Sequence, residues 1–196
     1  MTSQNNPESL SDAELVKMTL EDREDFLYLV NRYKDKLLRY IQRLTNTGLE
    51  EAEDTLQEVF IKVYLNLNDF NPDLKFSSWI YRITHNQVIS RHRKIKARPE
   101  AYSVNIDDQA ARSLAADIDI AASADLAILK QRISLVLDKL PDRYREILVL
   151  KFLEEKSYQE ISDIVKKPAG TVASTLNKAK QEFRKELDKQ NLILNI

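Results

Sequence analysis

Apolar side chains in this chain recur at intervals of three and four, the spacing of one face of an α-helix rather than the alternation of a strand. The clearest run is Phe26, Leu29, Val30, Tyr33, Leu37, Tyr40, Ile41 and Leu44. It predicts a helix over 25–44 that Asn46-Thr47-Gly48 ends. Ahead of it, Ser11 with Glu14 three residues on makes a capping box and predicts a short helix over 11–19. Leu56, Val59, Phe60, Val63 and Leu67 predict a third over about 50–67. Past the turn at Asn71-Pro72-Asp73, a fourth starts near Ser77 or Ser78 and runs to about Lys96. It turns Trp79 or Ile80, Ile83 and Val88 inward.

The period is lost over 99–123, which is rich in Ala, Ser and Asp. That stretch reads as a linker with helical fragments near 110–116; a poorly patterned helix packed on a domain is the alternative. Leu126, Leu129, Ile133, Val136, Leu137 and Leu140 resume the helical spacing. Pro141 suits the first turn of a following helix, where its missing N–H costs nothing, and Tyr144, Ile147, Leu148 and Leu150 carry that helix to about Leu153. Ser157 and Glu160 form a second capping box before Ile161, Ile164 and Val165. Pro168-Ala169-Gly170 is expected to break the chain and Thr171 to cap a last helix with Val172, Leu176, Ala179, Phe183 and Leu187 inside. The expected fold is all-α: two small helical domains joined by a flexible linker, the C-terminal one with a helix-turn-helix. Its divisions are a tail over 1–10, a first domain over 11–98, the linker over 99–124 and a second domain over 125–190.

Composition narrows the chemistry. The sequence has two glycines and no cysteine, which disfavours glycine-rich phosphate loops and excludes disulfides, thiolate metal sites and cysteine nucleophiles. Only two histidines, His85 and His92, are present, so no metal site and no cofactor are expected. No apolar run approaches the roughly 18 residues of a membrane span, and a cytoplasmic protein without membrane insertion is expected. The net charge of −1 conceals segregation by sign. Residues 50–58 hold five acids and no base, 75–98 hold seven Lys or Arg and no acid, and 99–125 turn acidic again with Arg112 the one base. Such segregation points to several distinct surfaces.

Two segments suit nucleic acid. Two short helices joined by a tight turn, the second of them basic, are the layout that sets a recognition helix into the major groove. Thr171, Ala173, Ser174, Asn177 and Lys178 lie away from its buried face and are candidates for base edges. Lys167, Lys180, Arg184 and Lys185 are candidates for phosphates. A generic helical hairpin with a solvated lysine face has the same layout. In the fourth helix, Phe76, Trp79 and Tyr81 are interleaved with Lys75, Arg82, His85, Asn86, Arg91, Arg93 and Lys94. Rings among cations suit single-stranded DNA, since bases stack while cations follow the backbone; Trp79 fits a core anchor equally well. Glu51, Asp54 and Glu58 share one face of the third helix, but no nucleophile, metal ligand set or oxyanion donor accompanies them, so catalysis is not expected. They read as a docking surface for a basic partner or as a solvated face.

The order of these pieces resembles the extracytoplasmic function (ECF) sigma factors, the minimal two-domain initiation subunits of bacterial RNA polymerase. Asp54-Thr-Leu-Gln-Glu-Val-Phe60 is similar to the family's polymerase-docking motif. Phe76-Ser-Ser-Trp-Ile-Tyr-Arg82 with Asn86 is similar to its promoter-melting segment. Leu140-Pro-Asp-Arg-Tyr-Arg-Glu-Ile147, Ser157-Tyr-Gln-Glu-Ile161 and Gly170-Thr-Val172 are similar to its upstream-reading region. The resemblance implies that Asp54, Gln57, Glu58 and Phe60 dock on the β′ coiled coil of the polymerase core. It implies that Lys75, Phe76, Ser78, Trp79, Tyr81, Arg82, His85, Asn86, Arg91, Arg93 and Lys94 recognise and hold open the −10 element, with one base flipped into a pocket of the first domain. The second domain would read the −35 element and touch the β flap, and an anti-sigma factor would hold the protein inactive. Ala173 and Thr175 stand where the family has arginines, and Lys178 and Lys180 where further arginines are common. A missing bidentate contact to guanine removes roughly 1–3 kcal/mol of discrimination, so a weaker −35 reading is expected.

A stand-alone helix-turn-helix regulator is the rival in another class. It needs neither the 54–60 motif nor the aromatic and basic segment. A sigma-like adaptor that binds polymerase or an anti-sigma partner while reading DNA poorly is the third reading.

Overall fold

A computed structural model describes residues 9–45, 47–97 and 124–189, of which 92–97, 124–128 and 130 are described by backbone alone. Among them are eight α-helices and no strand: α1 (Asp12–Glu21), α2 (Phe26–Thr45), α3 (Leu49–Leu65), α4 (Phe76–Ala97), α5 (Ala124–Lys139), α6 (Asp142–Leu148), α7 (Tyr158–Val165) and α8 (Ala169–Lys189). The all-α expectation holds. The expected linker falls outside the described residues except for Ala124, as do the expected helical fragments near 110–116 and most of the 1–10 tail. No helix among the described residues is long and apolar enough to cross a membrane.

Both capping boxes form. Ser11 Oγ accepts from the Glu14 amide at 3.3 Å while the Glu14 carboxylate accepts from the Ser11 amide at 2.7 Å. The same exchange at Ser157 and Glu160 runs at 3.2 and 3.0 Å. Each cap contributes roughly 1 kcal/mol to starting its helix. In the first half, α2 buries Leu29, Tyr33, Leu37, Tyr40 and Ile41 against α3 and α4. The second half gathers α5–α8 around Ile147, Leu150, Ile161, Ile164, Val172 and Leu176, all fully buried.

Two local departures from the sequence reading matter. The helix expected to run through Leu153 is α-helical only to Leu148; Val149–Leu153 widens into a π turn. The Glu154 amide accordingly donates to Val149 O at 3.0 Å, five residues back. Glu155 follows with φ 53°, in the left-handed region that L side chains avoid. The break before α8 also sits earlier than expected. It falls at Lys166, which ends α7 with φ 54° and ψ 46°, and Pro168 opens the new helix by accepting from Val172 N–H at 3.0 Å. Gly170 lies inside the first turn of α8 at ordinary negative φ, with open space where a Cβ would go. The left-handed corner of the helix-turn-helix is therefore carried by a lysine. Replacing Lys166 by Gly is expected to raise stability by about 0.5–1 kcal/mol, the left-handed strain removed less the added entropy of glycine. Thermal denaturation reads this directly, and an unchanged or lower midpoint would show the corner to be unstrained.

The two halves pack on each other. Helix α7 lies along α4, α2 meets α6 and the π turn, and one apolar cluster runs through both halves. Nothing in the helical periodicity anticipates this. It gives α4 burial on more than one face: Phe76, Ser78, Trp79, Ile80, Tyr81, Thr84, His85, Gln87 and Val88 are all buried.

Candidate nucleic-acid interface

On α3, Asp54, Gln57 and Glu58 are exposed and stand three and four residues apart, on one side of the helix. The stripe continues through Ile61 and Leu65, which are 59% and 70% exposed. The sequence reading did not single out these two; only the packing shows that they are apolar side chains left facing solvent. Phe60 does not share the stripe. It is half-buried, with its ring edge-on to Phe26 at 6.2 Å between centroids. Glu58 is tied inward as well as facing solvent: Gln87 Nε2 donates to its carboxylate, Arg91 lies 3.7 Å from it, and Lys62 Nζ donates to the other end of the Gln87 amide.

Between the end of α3 and the outer side of α4 lies an open recess of about 410 Å³ lined by Lys62, Asn66, Asp69, Trp79, Arg82, Ile83 and Asn86. Its size falls in the small-ligand range of roughly 300–1,000 Å³. Two amides, two cations and a carboxylate beside an indole can satisfy the polar edge of a planar base, the demand that any flipped-base pocket must meet. Lys62, Asn66 and Asp69 were missed by the sequence reading: Lys62 comes from the last turn of α3 and Asn66 and Asp69 from the turn after it, and only the packing brings them beside α4.

The remaining candidates on α4 are placed less openly. Phe76 and Trp79 are 3% and 6% exposed and stack with Phe70 in the core, with ring centroids 5.3–5.6 Å apart. Ser78 is buried, with no hydrogen-bond partner for its hydroxyl. Lys75 pairs with Glu160 at 3.3 Å, and Arg91 with Glu51 at 3.4 Å. The acid-free run of the sequence is thus answered in space by acids from other elements. Arg82 is half-buried and Asn86 exposed. The side chains of Arg93 and Lys94 lie outside what is described.

Tyr81 and His85 are covered by the second half. Tyr81 Oη donates to Glu154 Oε2 at 2.6 Å, while Glu154 Oε1 accepts from Arg43 at 2.7 Å. Lys156 Nζ sits 4.2 Å from the Tyr81 ring centre. Burial, then the Glu154 carboxylate, hold the Tyr81 phenol well above its usual range. His85 Nε2 touches Glu146 Oε1. Burial raises the Glu146 carboxyl to about 7 and lowers the His85 imidazole to about 4, so both are pressed toward their neutral forms. On the other side, Arg145 bridges the halves by donating to Leu44 O at 3.1 Å while also capping α5 through Leu137 O and Asp138 O.

In α8, Thr171, Ser174, Asn177, Lys178, Lys180 and Arg184 are exposed, and Lys167 and Ala173 half-buried. The Ser174 and Thr175 hydroxyls both donate to Thr171 O, at 3.0 and 2.7 Å, so each spends its proton on its own helix. Thr171, Asn177 and Lys178 are left as the exposed polar groups of the first turns.

These features place the chain among two-domain helical proteins whose second domain carries a helix-turn-helix. The Sigma-70 region 2 family model matches residues 29–98 and the Sigma-70 region 4 model residues 130–183. The chain is 35% identical over 175 residues to the ECF RNA polymerase sigma factor SigW of Bacillus subtilis, covering 85% of this chain and 90% of that one. It is 31% identical over 179 residues to the ECF RNA polymerase sigma-E factor of Escherichia coli K12, covering 89% and 93%. In fold it is similar to CnrH, solved in complex with the cytosolic domain of CnrY, with TM-score 0.67 at 20% identity over 91% of this chain and 97% of that one. RpoE of Bartonella quintana, solved with the anti-sigma factor NepR, has TM-score 0.67 at 22% identity over 84% and 98%. The chain belongs to the ECF sigma factors of RNA polymerase. It is the subunit that gives core polymerase its promoter specificity at initiation.

Proposed function

We propose that the work is divided by surface. The stripe of Asp54, Gln57, Glu58, Ile61 and Leu65 docks on the polymerase core. The recess between α3 and α4 receives one base of the opened −10 strand, and the outer face of α8 reads the −35 duplex. The observation that carries this is the recess: a polar, indole-edged cavity on the domain that has to hold a separated strand. The aromatic rings contribute by fixing its walls, with Trp79 packed on Phe70 and Phe76, rather than as a row of open stacking platforms. The second domain touches the β flap, and the first and second domains correspond to 11–98 and 125–190 with the intervening segment threading toward the RNA exit channel. An anti-sigma factor is the expected negative regulator, since RpoE of Bartonella quintana was solved bound to one, NepR. The protein works in the cytoplasm and without catalytic chemistry of its own.

Run-off transcription with core polymerase on a library of genomic promoters tests the assignment. Asn86→Ala is expected to change preference at one position of the downstream element while leaving the upstream element and core affinity unchanged. A change confined to the upstream element would overturn the division of labour. Core-dependent initiation at none of the templates would overturn the whole reading.

A further inference from the structure

The carboxylate of Glu154 occupies a cradle that belongs to the other domain. Arg43 of α2 donates to one oxygen at 2.7 Å and Tyr81 of α4 to the other at 2.6 Å, and the Glu154 side chain is only 6% exposed. The approach is built with some effort. The π turn over Val149–Leu153 and the left-handed Glu155 together swing the acid toward α2, and left-handed residues cost free energy that a plain loop avoids. A guanidinium and a hydroxyl converging on two oxygens is the geometry of oxyanion recognition. Arg43 also holds an unmet donor, its Nε being buried without a hydrogen-bond partner. Two carboxylate oxygens leave that donor unanswered, whereas a phosphate has further oxygens to offer.

The surroundings favour an anion as well. Lys36, Arg39 and Arg43 recur at three and four residues along α2, on one face, and Lys75 stands at the head of α4. What the second domain sets against this face is led by acids, Glu154 on Arg43 and Glu160 on Lys75, with Lys156 over the Tyr81 ring between them. Tyr81 is the neighbour of Arg82, a wall of the recess, and successive helical residues point about 100° apart. Tyr81 therefore faces away from the recess, and a strand that reaches both must round α4 between the flipped base and the Tyr81 hydroxyl.

We propose that Arg43 and the Tyr81 hydroxyl form a phosphate site for the opened promoter strand, and that Glu154 plugs this site when the two domains are closed on each other. The site rests on the reading of the first domain as the strand-holding one. Closure and promoter reading exclude each other on distance alone: elements centred about 25 base pairs apart lie roughly 85 Å apart along B-DNA at 3.4 Å per step, whereas here α4 and α7 are in contact. Opening withdraws Glu154, and the strand phosphate takes its place.

The test uses the full chain and a fluorescein-labelled random 30-nucleotide single strand, followed by anisotropy over a salt series. Glu154→Gln is expected to tighten binding at least fivefold. Adding Arg43→Gln is expected to abolish that gain and to flatten the salt slope by about 0.7, the share of one phosphate on a single strand. Arg43→Lys on the same background keeps a point charge and should retain most of the gain, which separates loss of the site from loss of the fold; helical circular dichroism of each variant is the companion measurement. A duplex of the same length should gain less than the single strand. No gain from Glu154→Gln, an Arg43→Gln variant with unchanged affinity and slope, or an equal gain on duplex would each overturn the proposal. Core-dependent transcription by the unaltered chain distinguishes the failures. Transcription without the gain removes the phosphate site alone, and the gain without transcription removes the sigma reading of the first domain while the site stands.

Discussion

Ile61→Asp is expected to lower affinity for the polymerase core at least tenfold and to leave the thermal midpoint of the free protein nearly unchanged. The side chain is 59% exposed on α3, so its removal opens no cavity, and an added carboxylate meets solvent in the free chain. In the docked complex the same carboxylate is buried in an apolar contact, where an unpaired charge costs several kcal/mol. A truncation of Gln57 and Glu58 to Ala is expected to weaken docking too, but it is a less clean experiment. Glu58 is held by Gln87 and lies near Arg91, so its loss also takes the acceptor from the Gln87 amide N–H on α4, the helix that walls the recess. Core affinity measured by competition against another sigma factor reads both variants, and unchanged affinity in the Ile61→Asp chain would remove the C-terminal half of the stripe from the docking surface.

The difference between Ile61 and Glu58 shows what the sequence could and could not convey. Helical periodicity located every helix to within a few residues, because a buried stripe at spacing three and four is a local signal. The capping boxes at Ser11 and Ser157 were legible for the same reason. The stripe of α3 was legible only in its acidic part: charges announce exposure, whereas Ile61 and Leu65 resemble core residues until their neighbours are known. Aromatic residues of α4 gave the opposite ambiguity. Phe76 and Trp79 offer ring faces on which a base can stack and are large enough for a core, and the partner that decides, Phe70, arrives from a turn. Pro168 and Gly170 suggested a break in the wrong place, since the left-handed corner fell to Lys166, a residue with no propensity for it. The contact between domains left no trace at all in the sequence, because its polar part joins single groups more than sixty positions apart: Arg43 and Tyr81 to Glu154, His85 to Glu146.

That last pair gives the second large effect. Closure is expected to be nearly independent of pH in the unaltered chain and to become acid-sensitive once Glu146 is replaced by Gln. Closing buries both groups, raising Glu146 from 4.5 to about 7 and lowering His85 from 6.5 to about 4; burial is the largest cause in each, followed by an opposing hydrogen bond with Asn86 and the Lys167 charge at His85, and by the Lys167 and Asp142 charges at Glu146. A raised carboxyl favours the closed form below its ordinary value and loses that contribution as pH rises through about 7. A lowered imidazole favours the closed form above 6.5 and loses that contribution as pH falls through about 4. Over the shared window the closing chain releases a proton at His85 and takes one up at Glu146, so the two dependences offset. Gln is a neutral isostere that keeps the packing and removes only the carboxyl's half of the exchange. The His85 half then stands alone, and the ratio of closed to open chain should fall by about tenfold or more between pH 7 and pH 5. The absence of cysteine makes the measurement direct: dyes on cysteines introduced at the exposed positions Asp73 and Lys185 report closure by energy transfer in both chains. A Glu146→Gln profile as flat as the parent's would mean that His85 keeps its proton on closing, and that the pair is an ordinary charged bridge rather than a buried neutral one.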